Sequence, residues 1–233
     1  MNPPSLWQTF FLRGPEIAAA LVQHLYLSFL AVLFACLIAI PVGIWIVHRP
    51  RLSAVAMTIA SVLQTIPSLA LLGFLIPLAG IGAKNALVAL TIYGLLPILQ
   101  NTTTGLRDID PALVEAARGM GMTQGQLMRI VLLPLARPFI LAGVRTATVL
   151  IIGLTTLVSL IGAGGLGDLI YRGISTLDNN LILAGAIPAA LLAIAFDFGL
   201  RGVERWLTPK GLRKKKQTSL FRRGADHDFK RIV

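Results

Sequence analysis

The chain of 233 residues is 55% apolar and 13% charged, where a soluble domain carries about 25% charged residues. Its net charge is +11 and its mean hydropathy +0.78, which excludes an ordinary cytosolic enzyme. The expected fold class is an all-α polytopic membrane protein, a single domain with little chain left over for a folded unit outside the lipid.

Residues 1–20 form an N-terminal segment without the basic region, short apolar core and small-residue cleavage site of a cleaved signal peptide. Five runs then lack Asp, Glu, Lys and Arg altogether: 17–47, 52–83, 85–106, 146–167 and 179–196. A helix needs about 20 largely apolar residues to cross a bilayer, so five transmembrane helices are expected. The single cysteine, Cys36, lies in the first run, and no internal disulfide can form. His24 and His48 stand near opposite ends of that run without a second ligand at metal spacing, and no metal site is expected. Trp45 and Trp206 fall at span ends, as interface-seeking indoles do.

The second run contains Pro67 and Pro77, each of which removes a backbone donor and obstructs the carbonyl four residues earlier. A kink or break is expected near Pro67. Freed backbone groups at membrane depth must be buried in protein or line a wet cavity. Gln64, Thr65 and Pro67 are therefore candidates for lining a pathway, with a mere packing kink as the alternative.

Between spans three and four, residues 107–137 read as two short helices joined by a turn. Asp110 caps the first, with Pro111 at its opening position, and Gly119 and Gly121 stop it and reverse the chain. Thr123 caps a second, amphipathic helix with Leu127, Ile130 and Val131 at helical spacing, and Pro134 marks the start of span four. Such a hairpin is a docking surface, and Ala116 and Ala117 allow a partner to approach closely.

After span four, Gly162, Gly164, Gly165 and Gly167 match G-x-G-x-x-G, but a dinucleotide turn needs a strand, a turn and a helix. Here the glycines follow a membrane span. They are read as a tight bend near an outer gate. Asp197 in span five is a candidate pathway charge, although Arg201 four residues on makes a local ion pair the preferred reading.

Lys and Arg beside spans stay preferentially on the cytoplasmic side. With the C-terminus inside and the N-terminus outside, the outer segments hold only Arg13, Lys84 and Arg172, so 18 of the 21 basic residues fall inside. From 208 to 233 there are nine basic and two acidic residues, a net of +7 out of +11. That tail is read as an anchor beside anionic membrane lipid, worth about 1 kcal/mol per basic residue, and no nucleic-acid partner is expected.

Glu115-Ala116-Ala117, then Gly121, Val131 and Leu133-Pro134, resembles the EAA loop of ABC-importer membrane subunits, with Val131 where that pattern has Ile. Leu95-Leu96-Pro97-Ile98-Leu99-Gln100-Asn101-Thr102, the glycine segment and Glu204-Arg205-Trp206-Leu207-Thr208-Pro209-Lys210-Gly211 are similar to permeases of osmoprotectant importers, which handle glycine betaine, carnitine or choline. Methionine-importer permeases share the five-span layout and the glycine segment. The resemblance covers roughly 22–211 of the sequence.

It implies a type I ABC-importer permease fold at 21–207, a basic tail at 208–233, and a bacterial inner-membrane location. In the family, the EAA loop is a coupling helix seated in a cleft of a separate ATP-binding subunit, which implies that role for Glu115, Ala116, Ala117, Gly121, Val131, Leu133 and Pro134. ATP and Mg would be bound by that partner, because the chain has no G-x-x-x-x-G-K-[ST] loop, and no cofactor is expected in the chain itself. A second permease copy or a paralogue would complete the pathway. An aromatic cage for a quaternary ammonium group is not evident in spans that are poor in aromatics, so an extracytoplasmic solute-binding protein is expected to select the substrate. The alternatives are an importer of an amino acid such as methionine and, from another class, an ion-coupled secondary transporter or a membrane enzyme. An enzyme would need a convergent set of reactive groups that the spans do not offer.

Overall fold

The structure, a computed structural model, describes residues 6–207, and every regular element among them is a helix. The expected basic tail lies outside the described residues. A short helix α1 (Leu6–Leu12) leads into α2 (Gly14–Ile46), opened by Pro15. At 1.5 Å per residue α2 is about 50 Å long, well beyond the ~30 Å of a hydrocarbon core. Next come α3 (Pro50–Thr65), α4 (Ser68–Ala79) and α5 (Ala83–Arg107). Four helices are individually long and apolar enough to span a membrane, and α3 with α4 forms a fifth candidate bent by 101°. The bend falls at Ile66–Pro67, where proline denies the helix a donor.

Helix α5 lies between α2 and α8 (Leu133–Thr155). Ala31, Ala35, Ala39 and Gly43 repeat every four residues on α2 and are all buried. A Cβ at Gly43 would come within 2.8 Å of Thr102 Cγ2 on α5. Small residues let helix backbones approach in lipid, where van der Waals contact replaces the hydrophobic effect between helices. On the other flank, Gly143 of α8 lies against the backbone of Pro97 and Ile98. The hydroxyls of Thr102 and Thr103 bond back to the carbonyls of Ile98 and Leu99 at 2.7 and 3.0 Å, so polar groups in the bundle are satisfied locally.

The rest of the chain departs from the sequence reading in two places. The helix of the fourth span starts at Leu133, beside the Pro134 that marks its entry, but it ends at Thr155, well short of the end of the charge-free run at 167. Arg137 and Arg145 interrupt the charge-free run, but Arg145 is neutralised inside the bundle by two carboxylates, and helix and lipid tolerate it there. The segment around Arg172, expected outside between spans four and five, contains an eleven-residue amphipathic helix, α9 (Leu166–Thr176). Its Leu166 and Leu169 pack with Ile17, Leu181 and Ala184. Asp178 then caps α10 (Asn179–Leu207), its Oδ1 accepting from the amides of Asn180 and Leu181 at 3.0 and 3.1 Å.

Candidate functional site

The hairpin is built by its caps. Asp110 Oδ1 accepts from Ala112 N at 3.0 Å and opens α6 (Pro111–Gly119). Gly119 proves to be the last helical residue, and the reversal belongs to Gly121, which has φ +79°. Met122 N donates to Ala117 O at 3.3 Å and Gly121 N to Arg118 O at 2.9 Å, the Schellman pairing that a left-handed residue at this position permits. Thr123 and Gln126 then form a reciprocal capping box at 2.8 and 3.3 Å around the one-turn α7 (Gln124–Gln126).

From there the chain continues as one helix to Thr155, and Pro134 sits inside it. The proline lacks the donor for Ile130 O and would crowd that carbonyl. Just before it, residues Leu127–Leu132 widen into a π turn, with Leu133 N bonded to Met128 O. The extra residue shifts the register. Leu127 and Leu132 are buried, whereas Ile130, expected on the apolar face, is 60% exposed.

The triplet Glu115-Ala116-Ala117 is thereby divided. Ala117 is 2% exposed and packs with Val47, Leu106, Leu127, Leu132 and Ala136. Val131 and Leu133 border that cluster half-buried. Glu115 and Ala116 are exposed, flanked by Leu113 and by Met120 at 71% exposure. The arrangement is an apolar ridge with one carboxylate, standing on a packed base that ties α6 to the start of α8.

At the break between α3 and α4, Gln64 is half-buried, Thr65 and Pro67 are exposed, and Thr65 Oγ1 donates to Val62 O at 2.7 Å. The freed carbonyl of Ile66 accepts a hydrogen bond from the Tyr93 hydroxyl of α5. Tyr93→Phe leaves that carbonyl unpaired, and a loss of about 1–3 kcal/mol is expected, read as a lowered unfolding temperature of the detergent-solubilised protein. An unchanged unfolding temperature would show that the bond does not hold the break.

The glycine segment follows a 3-10 turn at Val158–Ile161 and is gripped by α2. Gln23 Nε2 donates to Ala163 O at 3.0 Å, and Gly165 N donates to Gln23 Oε1 at 3.2 Å. His24 is wholly buried, with Nε2 3.1 Å from Ile152 O and its ring close to Gly165. Ser28 and Thr155 hydroxyls meet at 3.0 Å nearby. Gly162, Gly164 and Gly165 all adopt positive φ, while Gly167 lies against Thr156. Burial pushes the Asp168 carboxyl above its ordinary value, with Arg172 pulling the other way. On the sequence alone His24 is a solitary imidazole. The adjacent Gln23-His24 pair in an otherwise apolar run is the signal that could have revealed this clamp.

Asp197 lies on α10, 3.1 Å from Arg201 and 3.5 Å from Arg145 of α8. Arg145 also reaches Glu204 at 3.1 Å. The candidate residues thus occupy separate places: the hairpin at one end of the bundle, the glycine loop toward the other, the helix break, and an ionic seam between α8 and α10. Among the described residues no group of three or more His, Cys, Asp or Glu side chains gathers as a metal site would.

Residues 32–211 match the family described as binding-protein-dependent transport system inner membrane component. The choline transport system permease protein OpuBB of Bacillus subtilis (strain 168) is 43% identical over 207 residues, 89% of this chain and 95% of that protein. The carnitine transport permease protein OpuCB of Listeria monocytogenes is 44% identical over 210 residues, covering 90% and 96%. Among solved structures, a chain of the MetNI methionine ABC transporter in an inward-facing conformation matches with TM-score 0.76 and 26% identity, over 83% of this chain and 96% of that one.

Proposed function

Since the chain belongs to the family of binding-protein-dependent transport inner membrane components, a permease subunit of an ABC importer, we propose that it carries a small quaternary-ammonium osmoprotectant, of the glycine betaine, carnitine or choline class, across the inner membrane. The relatives named for such solutes support this substrate class, and they lie much nearer in sequence than the methionine transporter does. A methionine-like amino acid is the second reading.

The observation that carries the mechanism is the divided hairpin. Its base, centred on Ala117, is fused to α8, and its ridge, Glu115 and Ala116 with Leu113 and Met120, is left open for another polypeptide. In this reading a separate ATP-binding subunit, which holds ATP and Mg, grips the ridge from the cytoplasm. Its closure moves the hairpin with the lower end of α8. The hairpin end is then cytoplasmic and the glycine-loop end faces outward, where a solute-binding protein delivers substrate. A second copy or paralogue supplies the other half of the path, and Gln64, Thr65 and Pro67 at the helix break contribute to its lining.

Uptake into vesicles tests this reading. With the ATP-binding subunit and the binding protein present, and ATP inside, a labelled quaternary-ammonium solute is expected to accumulate, and omission of either partner or of ATP is expected to stop it. Accumulation by this chain alone, driven by an ion gradient, would overturn the proposal.

A further inference from the structure

The hairpin-end half of α10 is held to the bundle in an unusual way. Among the described residues α10 has no fully buried apolar side chain beyond Ala189. Where it passes α2 and α8 there is a groove of about 200 Å³ lined by Phe29, Val144, Thr148, Phe196 and Leu200. Apolar packing is therefore weak along this half. Ionic contact takes its place.

Arg145 is the group that makes the contact. It lies about 18 Å along α8 from Leu133 at 1.5 Å per residue, within a helix that crosses the membrane. Its Nε is 3.5 Å from Asp197 Oδ1 and its Nη1 3.1 Å from Glu204 Oε2. These carboxylates are two helical turns apart on α10. Arg201 Nη2 donates to Asp197 Oδ2 at 3.1 Å, so the two arginines and two carboxylates sum to zero charge. The single Arg145 charge thus lies in ion-pair contact with two carboxylates, and charges at membrane depth are tolerated only when paired or wet.

Helix α8 is continuous with the second arm of the hairpin. Resting on the permease reading above, we propose that Arg145 is a positioning residue for transport: it ties the hairpin-end half of α10 to α8, so that displacement of the hairpin is carried into α10. The tie stays closed through the cycle, and the two helices move together there.

The test uses the complete complex reconstituted with its ATP-binding subunit and binding protein. Arg145→Gln is expected to keep the ATP-binding subunit bound and ATP hydrolysed, while solute moved per ATP falls about tenfold. A ratio within about twofold of the unaltered complex overturns the proposal. A second variant, R145C with D197C in a C36S background, is read before and after a reducible dithiol cross-linker that spans the two positions. Linking is expected to restore the ratio and reduction to remove it again, in the same folded sample. Equal ratios in the linked and reduced forms, or loss of transport on linking, overturn the tie as a transmitter. Loss of the fold in both variants makes the role merely structural and overturns it too. An unaltered complex that fails to take up solute condemns the permease reading instead.

Discussion

Replacing Ala116 with tryptophan is expected to release the ATP-binding subunit while the permease stays folded, and replacing Ala117 with leucine is expected to disorder the hairpin itself. The difference rests on burial. Ala116 is exposed beside Glu115, so a large side chain there finds room in the isolated subunit and is met only by a partner's cleft. Ala117 is 2% exposed among Leu106, Leu127, Leu132 and Ala136, and added methylenes in a filled core cost about 1–3 kcal/mol. The same overpacking energy spent at an interface weakens binding by about five- to 150-fold. Copurification of the ATP-binding subunit reads the first variant, and protease sensitivity of the 107–137 segment reads the second. If Ala116→Trp also exposes the segment to protease, or Ala117→Leu leaves it protected, the division of the triplet is wrong.

Much of the fold follows from where charge is missing. The runs at 17–47, 85–106 and 179–196 correspond to α2, α5 and α10 because insertion into lipid selects on polarity, which composition displays directly. Pro67 marked the break in the second span for an equally local reason, the loss of a donor. The caps of the hairpin, Asp110, Gly121 and Thr123, were legible because capping involves near neighbours in sequence. What escaped depends on partners far along the chain. Arg145 looks like a loop residue until Asp197 and Glu204 are placed beside it. Gln23 looks incidental until the glycine loop closes on it from 140 residues away. Helix α9 was hidden by glycines that precede it and by its short length. The π turn at Leu127–Leu132 shows the limit of periodicity, since one inserted residue moved Ile130 off the apolar face that 3.6-residue spacing assigns it.

The candidate site was legible in the same uneven way. The hairpin could be located and its ends drawn, but not which of Glu115, Ala116 and Ala117 faces outward, because that depends on how α6 lies against α8. The case for Gln64, Thr65 and Pro67 as pathway candidates rests on polarity at a break. The group that satisfies the freed Ile66 carbonyl, Tyr93, comes from a different helix. A polar residue within one helix says that something must compensate it. Only the packing says what does.

The second large effect is expected at Gly167. A Cβ there would overlap the carbonyl oxygen of Thr156 and the Ser159 hydroxyl, and it would stand 2.8 Å from the Thr156 carbonyl carbon. The obstacle is mainly backbone, at the point where α8 gives way to the 3-10 turn, so no side-chain rotation can relieve it. Gly167→Ala is therefore expected to force α9 away from the end of α8, at a cost of about 3 kcal/mol or more. The displacement pulls on Gly165 and on the bond its amide donates to Gln23 Oε1, loosening the loop that α2 grips. Gly153 supplies the contrast: it lies in α8, and a Cβ there meets nothing within 4 Å. Gly153→Ala is expected to stay within about 1 kcal/mol of the unaltered protein. Yield of monodisperse protein and unfolding temperature in detergent compare the two directly. Equal stability of both variants would mean that the loop does not pack on the end of α8 as described, and with it would go the link between that helix and the far end of the bundle.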